Sequence, residues 1–381
     1  MKYWVKCLVE LIPIGFALYA AGCSSRPDID DSKPLALVKT GSSWGFIDRT
    51  GRQVVKPSYK DAWPFSEGLA LVKRGHKLGY IDKTGKVAIK HWFYEAKPFS
   101  GGRARVKSDF RWGYIDRTGE FVIPPRFDDA DDFNKGLARV KIGTSWGFID
   151  TTGALVIPPR FDNVNNFYEG FARVRVGAKF GFIETSGRFL ANPVFENAYS
   201  FSGGRAMVQV EKKWGYLDRT GRVMIEPQFD EAWSFSEGLA FVKVGMKWGY
   251  INSAGVFIIE PKYDDVWLFT EGFAPVKLIS RWQYIDRAGN AILHLFERAT
   301  SFSEGLAAVK SDDVFIKSSG QSKWGYVDTT GRYIVHLRFD DAGPFSHGLA
   351  AVKLNGKWGY IDRNGNMVIN PRYEKVFPFA E

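Results

Sequence analysis

Apolar and polar positions alternate along this chain in short runs separated by turns, which predicts strands and no long helices. In Ala104-Arg105-Val106-Lys107, Ala104 and Val106 fall on one side, because successive residues of a strand face opposite ways. Residues 112–116 (WGYID) and Phe121-Val122-Ile123 predict a second and a third strand, each apolar on both faces. Between them, Asp116-Arg117-Thr118-Gly119 has the chemistry of a tight turn: the acidic side chain accepts backbone N–H groups and glycine supplies a positive φ. Pro124-Pro125 is expected to end the third strand, since proline cannot donate to a ladder, and a loop through Phe127 and Phe133 leads onward.

The same pattern returns at 78–82 (LGYID), 146–150 (WGFID) and 214–218 (WGYLD). From Trp44 to Trp282 the spacing is 34 residues, then 42 to Trp324 and 34 to Trp358, which makes ten copies. A second marker, F-S-x-G-x-A-x-V, accompanies each copy from Phe65 onward. Residues 34–381 therefore hold ten units of 34 residues with a net insertion of eight: the eighth unit is one residue short and the ninth gains nine near 312–321. All ten copies keep the Ala and Val of the first strand and the turn glycine, from Gly51 to Gly365. The slot between that Ala and Val holds Leu37, Arg105, Phe241 or Pro275, a variety that predicts exposure.

Strands apolar on both faces need neighbours on both sides. The expected fold is all-β: ten tandem three-stranded meanders packed face to face. An open solenoid is favoured over a closed propeller-like ring, because propellers usually have about four to eight four-stranded blades. No split final unit, completed by the other terminus, is evident in the pattern.

Composition agrees with a packed β-rich protein: of 381 residues 45% are hydrophobic and 25% charged, with 13 Trp, 16 Tyr, 31 Phe and 40 Gly. This excludes a disordered or collagen-like chain. Net charge is +10, yet Asp and Glu recur almost as often as Lys and Arg, so nucleic acid is not an expected partner. Both cysteines, Cys7 and Cys23, precede the repeats, which leaves the array no disulfide and no cysteine metal site.

Residues 1–22 read as a signal peptide, with a charged start and an apolar stretch too short for a membrane span. Residues 20–24 (AAGCS) resemble the lipobox of bacterial lipoproteins. That resemblance implies cleavage before Cys23, lipid attachment at Cys23 and a polar tether over 23–33. It also implies an exported protein held at a membrane by its lipid, with Ser24 fitting the outer membrane. The repeat itself resembles the WG repeat of bacterial proteins, named for its Trp-Gly pair, over residues 34–381. Leu78 and Phe180 depart from it in the Trp slot and Gln283 in the Gly slot. The resemblance implies a β-rich repeat architecture and no single activity.

Residues 41–45 and 143–147 match G-x-S-x-G, but that motif needs a strand-to-helix elbow, and these lie in predicted hairpins. The acidic slot, Asp48 to Asp362, is accounted for by its turns, although a ring of carboxylates can bind cations. His294 and His336 share a slot in adjacent units, too few ligands for a metal. The Trp of each unit is expected between sheets. A basic residue follows the Val in nine copies, from Lys39 to Lys353, and reads as edge protection in preference to a polyanion track.

One slot varies: Trp63, Lys97, Asp131, Asn165, Tyr199, Trp233, Trp267, Thr300, Gly343 and Phe377. Tyr199, Trp233 and Trp267 occupy it in three consecutive units and are the candidate ligand-binding residues, an aromatic strip for a glycan or a protein loop. The expected function is non-catalytic binding or scaffolding in the cell envelope, with a protein or an envelope glycan as partner and neither cofactor nor metal. The alternative is a carbohydrate- or polyanion-binding envelope protein. A hydrolase, with its site in a central funnel or at the insertion, is the remoter possibility.

Overall fold

Nine of the ten sheets have four strands among the described residues, not the three expected of each unit. In the computed structural model, which describes residues 34–292, 295–311 and 323–379 and only the backbone of 91 and 92, the second unit runs Asp61–Ala62, Leu69–Arg74, Lys77–Asp82 and Val87–Phe93 in sheet order. The unexpected strand sits inside the connecting segment. Only Asp61 and Ala62 make it, opposite Lys73 and Val72, and two residues are too few to show any alternation.

The last strand also outlasts its prolines. Phe121–Phe127 contains both Pro124 and Pro125. Prolines are tolerated there because this is the edge of the sheet and the strand is bulged: Trp112 opposes Phe127 while Tyr114 opposes Ile123. The bulge lies over Gly113, where a Cβ would stand 2.6 Å from the Ile123 carbonyl oxygen and 2.7 Å from the Pro125 nitrogen. Close backbone approach, not conformational freedom, is therefore what demands glycine after the tryptophan. Where Gln283 replaces it, the regular fourth strand is missing: among the described residues that sheet has three strands, with single bridges Trp282–Phe296 and Ile285–Ala291 beyond them.

Among the described residues there are ten sheets, nine of four strands and one of three, and they form a closed ten-bladed β-propeller. The open solenoid is corrected by one pairing. Lys375–Val376, at the end of the chain, is the edge strand of the first blade, with Val376 opposite Val38 and Lys375 opposite Lys39. The first blade is thus split between the termini, its edge strand supplied by the last unit. Its signature escaped the sequence because it is again a two-residue strand.

The core lies between blades. Leu78, Tyr80, Ile89 and Phe93 of the second blade cover Ala96, Phe99, Ala104, Val106 and Ile115 of the third, so the later strands of one sheet overlap the earlier strands of the next. Equivalent clusters fill each junction, including Tyr360, Ile369 and Tyr373 against Ala36, Val38 and Ile47 where the chain's two ends meet. The slot between the Ala and Val belongs to this interior: Leu37, Leu71 and Met207 are buried, as is Phe241. Its variety reflects differently filled junctions, and the expectation of exposure was wrong.

Polar straps repeat at the same junctions. Ser66 of F-S-E-G donates its hydroxyl to the Phe99 carbonyl at 2.7 Å, and Glu67 accepts from the backbone N–H groups of Gly101 and Gly102 at 2.7 and 3.0 Å. Arg160 donates to the Gly187 carbonyl at 2.6 Å, and Arg372 repeats that bond to Gly51 across the closure at 2.7 Å.

Candidate functional site

The variable slot directly follows the short edge strand, and its backbone is fixed from two sides. The N–H groups of Tyr199, Trp233 and Trp267 donate to the carbonyls of Met207, Phe241 and Pro275, each at 3.0 Å. The carbonyls of Trp233 and Trp267 accept the hydroxyls of Tyr216 and Tyr250 from the preceding blade, both at 2.8 Å. Burial pushes the pKa of those phenols well above the ordinary value, so they remain donors. The slot is therefore rigid, and what varies from blade to blade is the side chain it presents.

The structure places the three predicted residues at equivalent positions of three successive blades, all reaching solvent: Tyr199 is 49% exposed, Trp233 51% and Trp267 55%. Trp233 stacks on Phe241 with centroids 5.5 Å apart and planes at 14°, and Tyr199 packs against Trp214 at 5.5 Å. Packing from behind restrains Tyr199 and Trp233 while leaving part of each ring accessible. The Trp slot is more enclosed: Trp112, Trp214 and Trp248 are buried between blades, while Trp44, Trp146, Trp282, Trp324 and Trp358 are partly buried.

A polar sector went unnoticed in the sequence. Arg105, Arg139 and Arg173 occupy the slot between the Ala and Val in three successive blades, just before the aromatic sector begins. Each guanidinium lies over the ring of its Trp slot: Arg105 over Trp112, Arg139 over Trp146, Arg173 over Phe180. Each also donates to a carbonyl of the next blade's edge strand, at Ala130, Val164 and Ala198. Arg105 pairs with Asp131 at 3.0 Å and Asp132 at 2.8 Å, and Arg139 pairs with Asp131. The available signal was three arginines at a 34-residue spacing, obscured by the assumption that the slot was exposed.

The other candidates resolve locally. Asp218 Oδ1 accepts the Thr220 hydroxyl at 2.7 Å and the N–H groups of Thr220 and Arg222 at 2.8 and 3.1 Å. Chiefly through that hydroxyl, its carboxyl is held below the usual range, in keeping with the turn assignment. The G-x-S-x-G serines stand in hairpins, as between Ala36–Thr40 and Ser43–Ile47. In six blades the basic row faces a carboxylate across the edge strand, and Lys107–Glu95 and Lys243–Glu231 close to 2.8 and 2.7 Å. His336 is exposed, and His294 lies outside the described residues, as do Cys23, the signal peptide, the tether and the insertion.

A groove of about 670 Å³ near Tyr94, Phe110 and Phe121 has its two lysines engaged, Lys77 over Tyr94 at 3.5 Å and Lys107 with Glu95. Among the described residues no group of three or more His, Cys, Asp or Glu is arranged to hold a metal ion, and no helix is long and apolar enough to cross a membrane.

Solved structures resemble this one at low identity. A chain described as the eukaryotic initiation factor is 12% identical with a TM-score of 0.50, covering 91% of this chain and 98% of that one. Apo AztD from Citrobacter koseri is 11% identical with a TM-score of 0.36, covering 79% and 93%. The first likeness shows a shared fold and nothing of function. No curated protein matches the sequence. The WG containing repeat matches ten segments, from 44–77 through 358–381, with junctions falling close to one per blade. With most of the ring accounted for in this way, the chain belongs to the WG-repeat family.

Proposed function

We propose that this protein is a non-catalytic binding protein of the bacterial cell envelope, with an envelope glycan as its ligand. The observation that carries the reading is the strip of Tyr199, Trp233 and Trp267, half-exposed at equivalent points of consecutive blades. Aromatic faces stack on sugar rings, and a rigid backbone spends little entropy in presenting them. Spacing such faces one blade apart lets weak contacts add along a polymer. Exposure of these rings is what favours a glycan over generic scaffolding, since a scaffold built on inter-blade packing would bury them. A chain carrying Tyr199→Ala, Trp233→Ala and Trp267→Ala is expected to lose binding to purified envelope polysaccharide while keeping its thermal midpoint; undiminished binding would overturn the reading.

The lipoprotein assignment rests on residues 20–24 (AAGCS) and is part of the same proposal. A lipid on Cys23 would hold the ring at the membrane surface within reach of envelope polymers. Cys23→Ser is expected to release the protein into the soluble fraction; retention with the membranes would contradict the tether.

A further inference from the structure

Resting on the glycan reading, we infer that the ligand is an acidic saccharide whose carboxylate is taken by Arg173 at the start of the aromatic strip. The three stacked arginines differ in what neutralises them. Arg105 and Arg139 have Asp131 and Asp132. Arg173 has Asn165 Oδ1 at 3.0 Å and the Ala198 carbonyl at 2.7 Å, and among the described residues no carboxylate pairs with it. Burial chiefly holds its pKa below the usual guanidinium value; Tyr199 opposes that shift, and the like charges of Arg139 and Arg175 add to it. A partly buried cation among like charges is a standing demand for an anion.

Around Arg173 the acids that serve Arg105 and Arg139 have no counterpart. Register puts Asn165 where Asp131 stands one blade earlier, and Ser200 where Asp132 stands relative to Arg105. Across the edge strand, Arg175 faces Asn163 and Gln209 faces Asn197, where six other blades set a basic residue against a carboxylate. Amides and a hydroxyl thus replace acids around Arg173, keeping hydrogen-bonding capacity and removing negative charge.

Geometry favours a carboxylate. Two of the five guanidinium N–H groups are engaged, and Phe180 lies under the plane at 4.9 Å, which leaves in-plane donors for a planar, bidentate partner. Arg105 shows that carboxylates can reach this position: the Asp132 carboxylate sits 2.8 Å from its Nε as an ion pair, and Asp131 pairs with it at 3.0 Å. At Arg173 the shorter Ser200 leaves that place to a ligand, and Tyr199 is the next residue along. A uronic acid seated on Arg173 would extend its neighbouring sugars over Tyr199 and Trp233.

The test is titration calorimetry of the full chain with an oligouronate and a neutral oligoglucan of equal length. The oligouronate should bind more tightly, with a salt-dependent affinity. Asn165→Asp and Ser200→Asp each offer Arg173 an internal carboxylate without removing its bond to the next blade. Each should weaken the oligouronate about tenfold or more and leave the thermal midpoint unchanged or raised. Equal affinity for the two oligomers, or full oligouronate affinity in both variants, would overturn the inference while leaving the glycan reading standing. Binding of neither oligomer would overturn both.

Discussion

Gly215 follows Trp214, and a Cβ built on it would lie 2.4 Å from the Ile225 carbonyl oxygen and 2.7 Å from the Pro227 nitrogen. Both obstacles are backbone, so a methyl group there must push the bulged edge strand off the sheet. Gly215→Ala is expected to cost about 1–3 kcal/mol, the usual penalty for overpacking, read as a lower denaturant midpoint. An unchanged midpoint would contradict the close approach. The Trp-Gly pair was conspicuous in the sequence, but its reason was not, because a glycine needed for φ and one needed for space look alike there. Gln283 was the clue: the one copy without that glycine is the one whose fourth strand is irregular. The turn glycines, from Gly51 to Gly365, were read correctly as conformational, with φ between 82° and 92°.

At the scale of elements, legibility followed length. Strands of five to seven residues show alternation, although Pro124-Pro125 hid the full length of Phe121–Phe127; two-residue strands cannot, and the errors of strand count and closure came from them. Asp61–Ala62 turned a three-stranded unit into a four-stranded blade, and Lys375–Val376 turned an open array into a ring. The closing strand can be tested directly. Val38 and Val376 are antiparallel partners, and such pairs have Cα atoms roughly 4.5–5.5 Å apart, within the range a disulfide spans. Val38→Cys with Val376→Cys should therefore crosslink under oxidising conditions, seen as a joined peptide by mass spectrometry, and the crosslink should raise the thermal midpoint. Thiols that stay reduced in the folded protein would argue for an open array.

For the whole molecule, the candidate aromatic strip was legible because it departs from the repeat, and variation stands out against ten copies. The arginine sector was not, because judging it needs the knowledge of which acids lie beside which bases on neighbouring blades. Cross-blade bonds such as Arg160 to Gly187 reappear unchanged where Arg372 meets Gly51. That recurrence constrains how such a protein can change size. A stack with free ends can grow by duplicating a module at its tip, whereas here an eleventh module would have to alter the tilt between every pair of sheets at once. The ninth unit shows the permitted alternative: its nine additional residues fall in sequence between the paired strands Leu306–Ser311 and Lys323–Asp328, and the ring still has ten blades. Novelty in this molecule is therefore confined to what the blades carry, and their number is held fixed.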